Sequence, residues 1–326
     1  MINKLDFYIS DSLDPYRNLA IEKRLFDTVE KNTLILYLWQ NQSTVVIGKN
    51  QNAFAECRTE LLREEGGHLA RRLSGGGAVF HDIGNLNFTF ICATEDLDIG
   101  KHMEVIQRAC LLAGIETELS GRNDILAHGR KFSGNAFYNS KGHSYHHGTI
   151  LISADTDKMT RYLTPPKAKL EAKGIKSVRS RVLNLSELAP TLTCEHMKEH
   201  LLEAFTSVYG IQPLPHIDIE EESICALAAT FGSWDYLYGS PLPFNVSCGD
   251  RLSFGSIELQ MQVTDGLIRE IRVYTDALDS ELSGAVEGAL ATCPFDFGTM
   301  SDALAKALSD DVALGLISLL NEQVFS

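Results

Sequence analysis

The run Gly239-Ser240-Pro241-Leu242-Pro243 interrupts the chain. A proline has no N–H to donate and pushes the residue before it out of the helical region, so two of them this close end any regular element. The charge also changes character nearby. Residues 1–214 carry 25 Lys+Arg against 25 Asp+Glu, whereas residues 215–326 carry only Arg251, Arg269, Arg272 and Lys306 against 18 acids. The whole net charge of −14 therefore sits in the last third. With 326 residues the chain is also long for one core, since domains run near ~150 residues. Together these features predict a larger domain over 1–244 and a smaller one over 247–326, with the boundary near 241–246.

Several function classes drop out on composition. At 44% hydrophobic and 22% charged, the chain is globular rather than fibrous or disordered. Its longest apolar runs, such as 312–320 with Gly315 and Ser318 inside it, are too short for a membrane span. The opening Met-Ile-Asn-Lys-Leu-Asp has no secretory pattern, so a cytoplasmic protein with no membrane partner is expected. Seven scattered cysteines without Cys-x-x-Cys predict neither a disulfide framework nor a cysteine zinc site. From Lys158 to Arg181 eight basic residues face one acid, Glu171. In an acidic protein that reads either as a solvated surface or as a docking face for an anionic partner, and not as general nucleic-acid binding.

Periodicity predicts a helix over 14–30, strands over 34–39, 44–47, 87–91, 132–138 and 149–153, and helices over 103–112 and 195–208. In the last third, alternating Ile257, Leu259, Met261 and Val263, the turn Asp265-Gly266 and the return strand 268–274 make a hairpin. Helices over 280–291 and 302–320 complete a small α+β unit.

The segment Arg71-Arg72-Leu73-Ser74-Gly75-Gly76-Gly77-Ala78-Val79-Phe80-His81-Asp82 is the densest in candidate chemistry. Three glycines let backbone N–H groups approach a bulky anion, and two arginines offer forked donors to phosphate or carboxylate. The spacing fits neither the P-loop nor the dinucleotide fingerprint. A bare Gly-Gly-Gly is a plain loop as readily as a cradle; the arginines and the strand-like exit favour the cradle. In Gly121-Arg122-Asn123-Asp124 and Arg130-Lys131-Phe132-Ser133-Gly134, Lys131 either lies on the surface or points inward to neutralise a phosphoryl group, and Asp124 is a candidate magnesium ligand. The pair His146-His147 cannot share one ion on a strand, because neighbours face opposite ways, so structural or substrate-lining histidines are expected. His196-Met197-Lys198-Glu199-His200 fits a zinc-peptidase pattern, with no further acid in a motif around it.

With those segments in hand, the chain resembles the lipoate–protein ligases of the two-domain A type. The resemblance runs through Ile9-Ser10-Asp11-Ser12-Leu13-Asp14-Pro15 and Val45-Val46-Ile47-Gly48-Lys49-Asn50-Gln51-Asn52, then 69–90, 121–124, 131–134, 146–154 and 172–185. Position 49 is Lys where the family often has Arg, and the segment 126–130 before Lys131 is shorter than in some relatives. The family implies an α+β fold: a mixed or antiparallel sheet with flanking helices, of the lipoate and biotin ligase type, plus a small α+β accessory domain. It implies adenylation of lipoate by ATP with Mg2+, then transfer of the lipoyl group to an acceptor lysine, with no tightly bound cofactor. Acceptors would be lipoyl domains of 2-oxoacid dehydrogenase E2 subunits or the glycine-cleavage H protein. By the family pattern Arg72, Gly77, Ala78, Val79 and Phe80 contact the nucleotide. Lys131 contacts both carboxyl and phosphoryl oxygens and is the catalytic candidate. Val45–Ile47 and Gly75–Gly77 would line the tunnel for the dithiolane tail. Arg71, Ser74, Gly75, His147 and Gly148 are lipoate-site candidates, with His81, Asn123 and Asp124 beside them. Monomer is the default assembly.

Three rivals remain on sequence. An octanoyl or lipoyl transferase on the same scaffold needs a cysteine nucleophile, and none of the seven lies in the motif segments. A biotin–protein ligase would carry a different nucleotide loop. A non-catalytic lipoate-binding protein would lack Lys131, Arg72 or Asp124, and all three are present.

Overall fold

The computed structural model describes residues 1–121, 124–164, 182–216, 219–239 and 244–325. The chain divides into two compact units: Met1–Val46, Cys57–Arg71 and Val79–Leu237 in the first, and Ile47–Glu56, Arg72–Ala78 and Tyr238–Ser326 in the second.

In the first unit the strands are β1 (Lys4–Ile9), β2 (Thr33–Trp39), β3 (Thr44–Ile47), β4 (His68–Arg71), β5 (Val79–His81), β6 (Asn85–Ala93), β7 (Glu118–Ser120), β8 (Asp124–Ala127), β9 (Arg130–Ser140), β10 (His143–Leu151) and β11 (Leu214–Pro215). Among the described residues eight of them form one sheet in the order β11-β1-β2-β6-β10-β9-β8-β7, and β4-β3-β5 form a second. The large sheet is mixed. β1 pairs in parallel with β2 and β11, while every pairing from β2 to β7 is antiparallel. The parallel step follows from the helix Pro15–Thr28 that crosses between β1 and β2. That helix begins where Asp14 accepts the Tyr16 N–H and Pro15, needing no partner for a missing N–H, opens the first turn. Two of the antiparallel steps use tight turns with φ positive at both central residues, His128-Gly129 between β8 and β9 and Lys141-Gly142 between β9 and β10.

The core lies on one face of this sheet. Leu34, Leu36 and Leu38 of β2 and Leu86, Phe88, Phe90 and Cys92 of β6 alternate inward. They meet Met103, Ile106 and Cys110 of the helix Ile99–Leu112 and Met197, Leu201 and Phe205 of the helix Cys194–Tyr209. The expected strand over 149–153 is instead the end of β10, which starts at His143.

The second unit contains a three-stranded antiparallel sheet, β12 (Val246–Leu252), β13 (Gly255–Thr264) and β14 (Leu267–Thr275), one strand more than the predicted hairpin. Asp265 and Gly266 make its turn with positive φ, as the sequence predicts. Leu259, Met261, Ile268 and Val273 pack on Val286, Leu290, Met300, Leu304, Leu316 and Leu320. The helix expected over 302–320 is two helices, Phe297–Ala307 and Asp310–Gln323. Leu308 and Ser309 are extended between them, and the new helix starts with Asp310 and Asp311 at its positive end.

Candidate active site

The face of the large sheet opposite the core carries polar groups, and cross-strand register explains why. Trp39 on β2 pairs with Asn87 on β6, and Thr89 on β6 pairs with His147 on β10. Residues directly opposite in an antiparallel pair share a face, so Trp39, Asn87, Thr89 and His147 lie together. All four are at most 7% exposed. Buried polar groups need partners, and Trp39, Thr89 and His147 find them in one network with Glu22. The Trp39 indole donates to Thr89 Oγ1 at 3.2 Å, and the Thr89 hydroxyl donates to Glu22 Oε1 at 2.8 Å. His147 Nδ1 lies 2.9 Å from the same carboxylate oxygen. An ionised carboxylate only accepts, so His147 donates from Nδ1. Glu22, 1% exposed on the helix Pro15–Thr28, thus fixes that ring's tautomer and orientation from across the sheet face.

Further along the same face lie Gly134 on β9 and its cross-strand partner Asp124 on β8. One residue of register is lost next to them: Ile125 pairs with Ser133 but Leu126 pairs with Lys131, so Phe132 is the extra residue of a β-bulge. A bulge reverses the in-out alternation beyond it. The Lys131 side chain therefore comes to the Gly134 side, where a Cβ on residue 134 would sit 2.9 Å from Lys131 Nζ. From there the ammonium reaches Asp124 Oδ1 at 2.6 Å. Gly148 is required by packing, since a Cβ there would meet Phe88 at 2.6 Å and the Gly134 carbonyl at 2.8 Å. The Gly134 N–H donates to Thr149 Oγ1 at 3.3 Å.

The glycine loop lies in the second unit, and its arginine is turned onto it. Arg72 is 6% exposed. Its Nε donates to Ser74 Oγ at 3.1 Å, and its Nη2 donates to the carbonyls of Gly75 at 2.7 Å and Gly77 at 2.8 Å. The Gly76 N–H donates to the Ala277 carbonyl at 2.9 Å. A Cβ on Gly75 would lie 2.2 Å from that same carbonyl oxygen, and Gly76 has φ of +90°. These two glycines are thus required by the loop's own packing. In the same unit Lys49 pairs with Glu281 at 2.8 Å, and Asn50 donates to the Ser280 carbonyl at 2.8 Å. In the first unit Arg71 donates from Nε to the carbonyls of Tyr236 and Leu237, at 3.0 and 3.2 Å. Phe80 is buried and pairs with Val45, Val79 pairs with Val46, and His81 Nδ1 is 3.3 Å from the Asn41 amide.

Two family models match the chain. Residues 14–206 match the lipoyl protein ligase A/B catalytic domain, and residues 242–315 match the bacterial lipoate protein ligase C-terminus. The lipoate-protein ligase A of Bdellovibrio bacteriovorus is 37% identical over 85% of this chain and 84% of that protein. The enzyme of the same name from Blochmanniella pennsylvanica is 40% identical over 84% of each. The chain belongs to the lipoate–protein ligase A family. Among solved structures, LipL1 of P. falciparum, crystallised in complex with lipoate, matches with a TM-score of 0.85 at 29% identity, over 98% of this chain and 99% of that one. A lipoate-protein ligase A bound with ATP shares the fold, with a TM-score of 0.60 at 23% identity, over 73% of this chain and 99% of that one.

As a ligase rather than a transferase, the protein needs no activated thiol, and five of its cysteines agree. Burial pushes Cys57, Cys92 and Cys110 up to about 12, and Cys194 and Cys248 up to about 11. A nucleophilic cysteine requires the opposite shift. The paired histidines face opposite ways, as expected: His146 points to the core and stacks on Phe137 and Phe90, with Nε2 2.9 Å from Asn135 Oδ1. In the zinc-like pattern His196 Nδ1 is 3.1 Å from the Thr191 carbonyl. Asn123 and residues 165–181 of the basic stretch lie outside the described residues, as do residues 240–243 of the predicted linker. Sequence reasoning missed Glu22, Trp39 and Thr89 as members of the ligase's polar network. The available signal was Glu22 itself, a carboxylate on the apolar stripe formed by Leu19, Leu25 and Phe26.

Proposed function

We propose that this ligase activates lipoate with ATP to lipoyl-adenylate, releasing pyrophosphate, and then transfers the lipoyl group to a lysine of an acceptor domain. A lipoate carboxylate oxygen attacks the α-phosphorus, and the bond to the bridging oxygen of pyrophosphate breaks. The acceptor amine then attacks the acyl carbon, loses a proton, and AMP leaves. Two anions must be brought together in the first step, so charge neutralisation and positioning carry most of the catalysis.

The observation that carries this reading is the Lys131 ammonium, brought by the bulge to the polar sheet face beside Asp124. There it is suited to bridge the lipoate carboxyl and the phosphoryl oxygens. Arg72 and the run Gly77, Ala78, Val79 and Phe80 would hold the nucleotide; Arg71, Ser74, Gly75, His147 and Gly148 would serve lipoate. Among the described residues no three His, Cys, Asp or Glu side chains gather as a metal cage. Asp124 fits magnesium as a single carboxylate ligand, with substrate phosphates supplying other oxygens. The ion would screen phosphate charge. We place catalysis in a domain over 1–244 and an accessory role in 247–326. Acceptors would be E2 lipoyl domains or the H protein, steered by the basic stretch from Lys158 to Arg181. Among the described residues no helix is long and apolar enough to cross a membrane, and we propose a cytoplasmic location.

The test is lipoate-dependent pyrophosphate release followed by mass spectrometry of an added lipoyl domain and H protein. Release with a lipoyl mass gain on either acceptor is expected. No release, with acyl transfer from an octanoyl or lipoyl carrier instead, would refute the proposal.

A further inference from the structure

We propose that Asp124 is a parking site for the Lys131 ammonium, from which an incoming lipoate carboxylate must displace it. The inference rests on lipoate being the substrate, as proposed above. Three independent features build the parking position. The bulge at Phe132 brings Lys131 to the Gly134 side of β9, opposite to where regular alternation would send it. The missing side chain of Gly134 leaves the space: a Cβ there would lie 2.9 Å from Nζ and 3.0 Å from Cε of Lys131. Asp124, directly across from Gly134 in register, then closes the pair at 2.6 Å.

The pair is also built to be exchanged. The Lys131 and Asp124 side chains are 39% and 34% exposed, so solvent and a ligand can reach the lysine, while Asp124 Oδ1 itself is covered. An ion pair this exposed shifts an equilibrium constant by at most about fivefold. It holds the ammonium in one place, yet a substrate carboxylate with further contacts of its own can take it over. No covalent bond changes: one carboxylate replaces another at the same cation. Asp124 is in this sense a positioning residue that competes with substrate, so removing its charge favours lipoate.

The test is equilibrium titration of lipoate into the full-length protein without nucleotide or magnesium, so that any role of Asp124 toward the metal does not enter. Lipoamide, which has no carboxylate, is the neutral probe. Asp124→Asn is expected to bind lipoate about two- to fivefold more tightly than wild type, with lipoamide unchanged. Asp124→Glu, which restores a carboxylate, returns lipoate affinity toward wild type. Gly134→Ala, which fills the ammonium's place, also tightens lipoate relative to lipoamide. Lipoate affinity that is unchanged or weaker in Asp124→Asn, or a parallel shift for both ligands, overturns the parking role. Wild-type protein that binds neither ligand overturns the substrate reading itself.

Discussion

Acid should destabilise this protein through buried histidine rings. His102, on the helix Ile99–Leu112, is fully buried, and neither of its ring nitrogens has a hydrogen-bond partner. It stacks on Phe90 at 4.5 Å and on His146 at 5.6 Å between centroids. Burial pushes it down to about 3 from the ordinary 6.5, against a small opposing pull from Asp98. In the unfolded chain the ring protonates at 6.5, so as pH falls the unfolded state takes up the proton first. Stability is therefore complete above 6.5 and is lost progressively as pH drops toward 3. At about 1.4 kcal/mol per unit, going from pH 7 to pH 5 removes about 2 kcal/mol. That corresponds to a melting temperature lower by roughly 4–8 °C for a unit of this size. His102→Leu should abolish that portion of the drop and raise neutral-pH stability by about 1–3 kcal/mol, because unpaired nitrogens are no longer desolvated. Calorimetric melts of both proteins at pH 7 and pH 5 provide the assay. His146, also held well below its ordinary value by burial, leaves a residual drop in the variant. Equal drops in wild type and variant would refute the reasoning.

Lys131→Ala should lower lipoate-dependent pyrophosphate release by at least about a hundredfold without changing the melting temperature. Charge reversal at Lys173 and Lys176 should slow acyl transfer to the acceptor while pyrophosphate release survives; equal loss of both half-reactions counts against docking through the basic stretch. Glu22→Gln removes the charge from a buried acceptor shared by Thr89 and His147, and should cost about 1.5–3 kcal/mol in chemical denaturation. Gly75→Ala places a Cβ 2.2 Å from the Ala277 carbonyl, so thermal unfolding should show about 1–3 kcal/mol of lost stability, and an unchanged melt would mean the loop is not packed there.

Elements with a local signal were legible before the fold. The strands around Leu36 and Leu259, the helices around Met103 and Leu201, and the Asp265-Gly266 turn all appear where periodicity or turn chemistry puts them. β10 is hard to place from sequence because it is buried on both faces and carries polar residues on both, His147 on one and His146 on the other, so Tyr145-His146-His147-Gly148 shows no apolar alternation. The final two helices read as one because apolar spacing continues through Leu308, and the break depends on the extended backbone there.

Family membership, the acidic last third and the motif residues Arg72, Gly75, Lys131 and His147 follow from the order of residues alone. Composition, backbone preference and motif spacing are properties of the chain before it folds. The partners of those residues are not. Glu22 meets His147 only because a crossover helix lies on the sheet face that register assigns to Thr89. Lys131 meets Asp124 only because one extra residue, Phe132, shifts the strand. A single-residue change of register exchanges the two faces of a strand, and that choice is made by packing across the sheet.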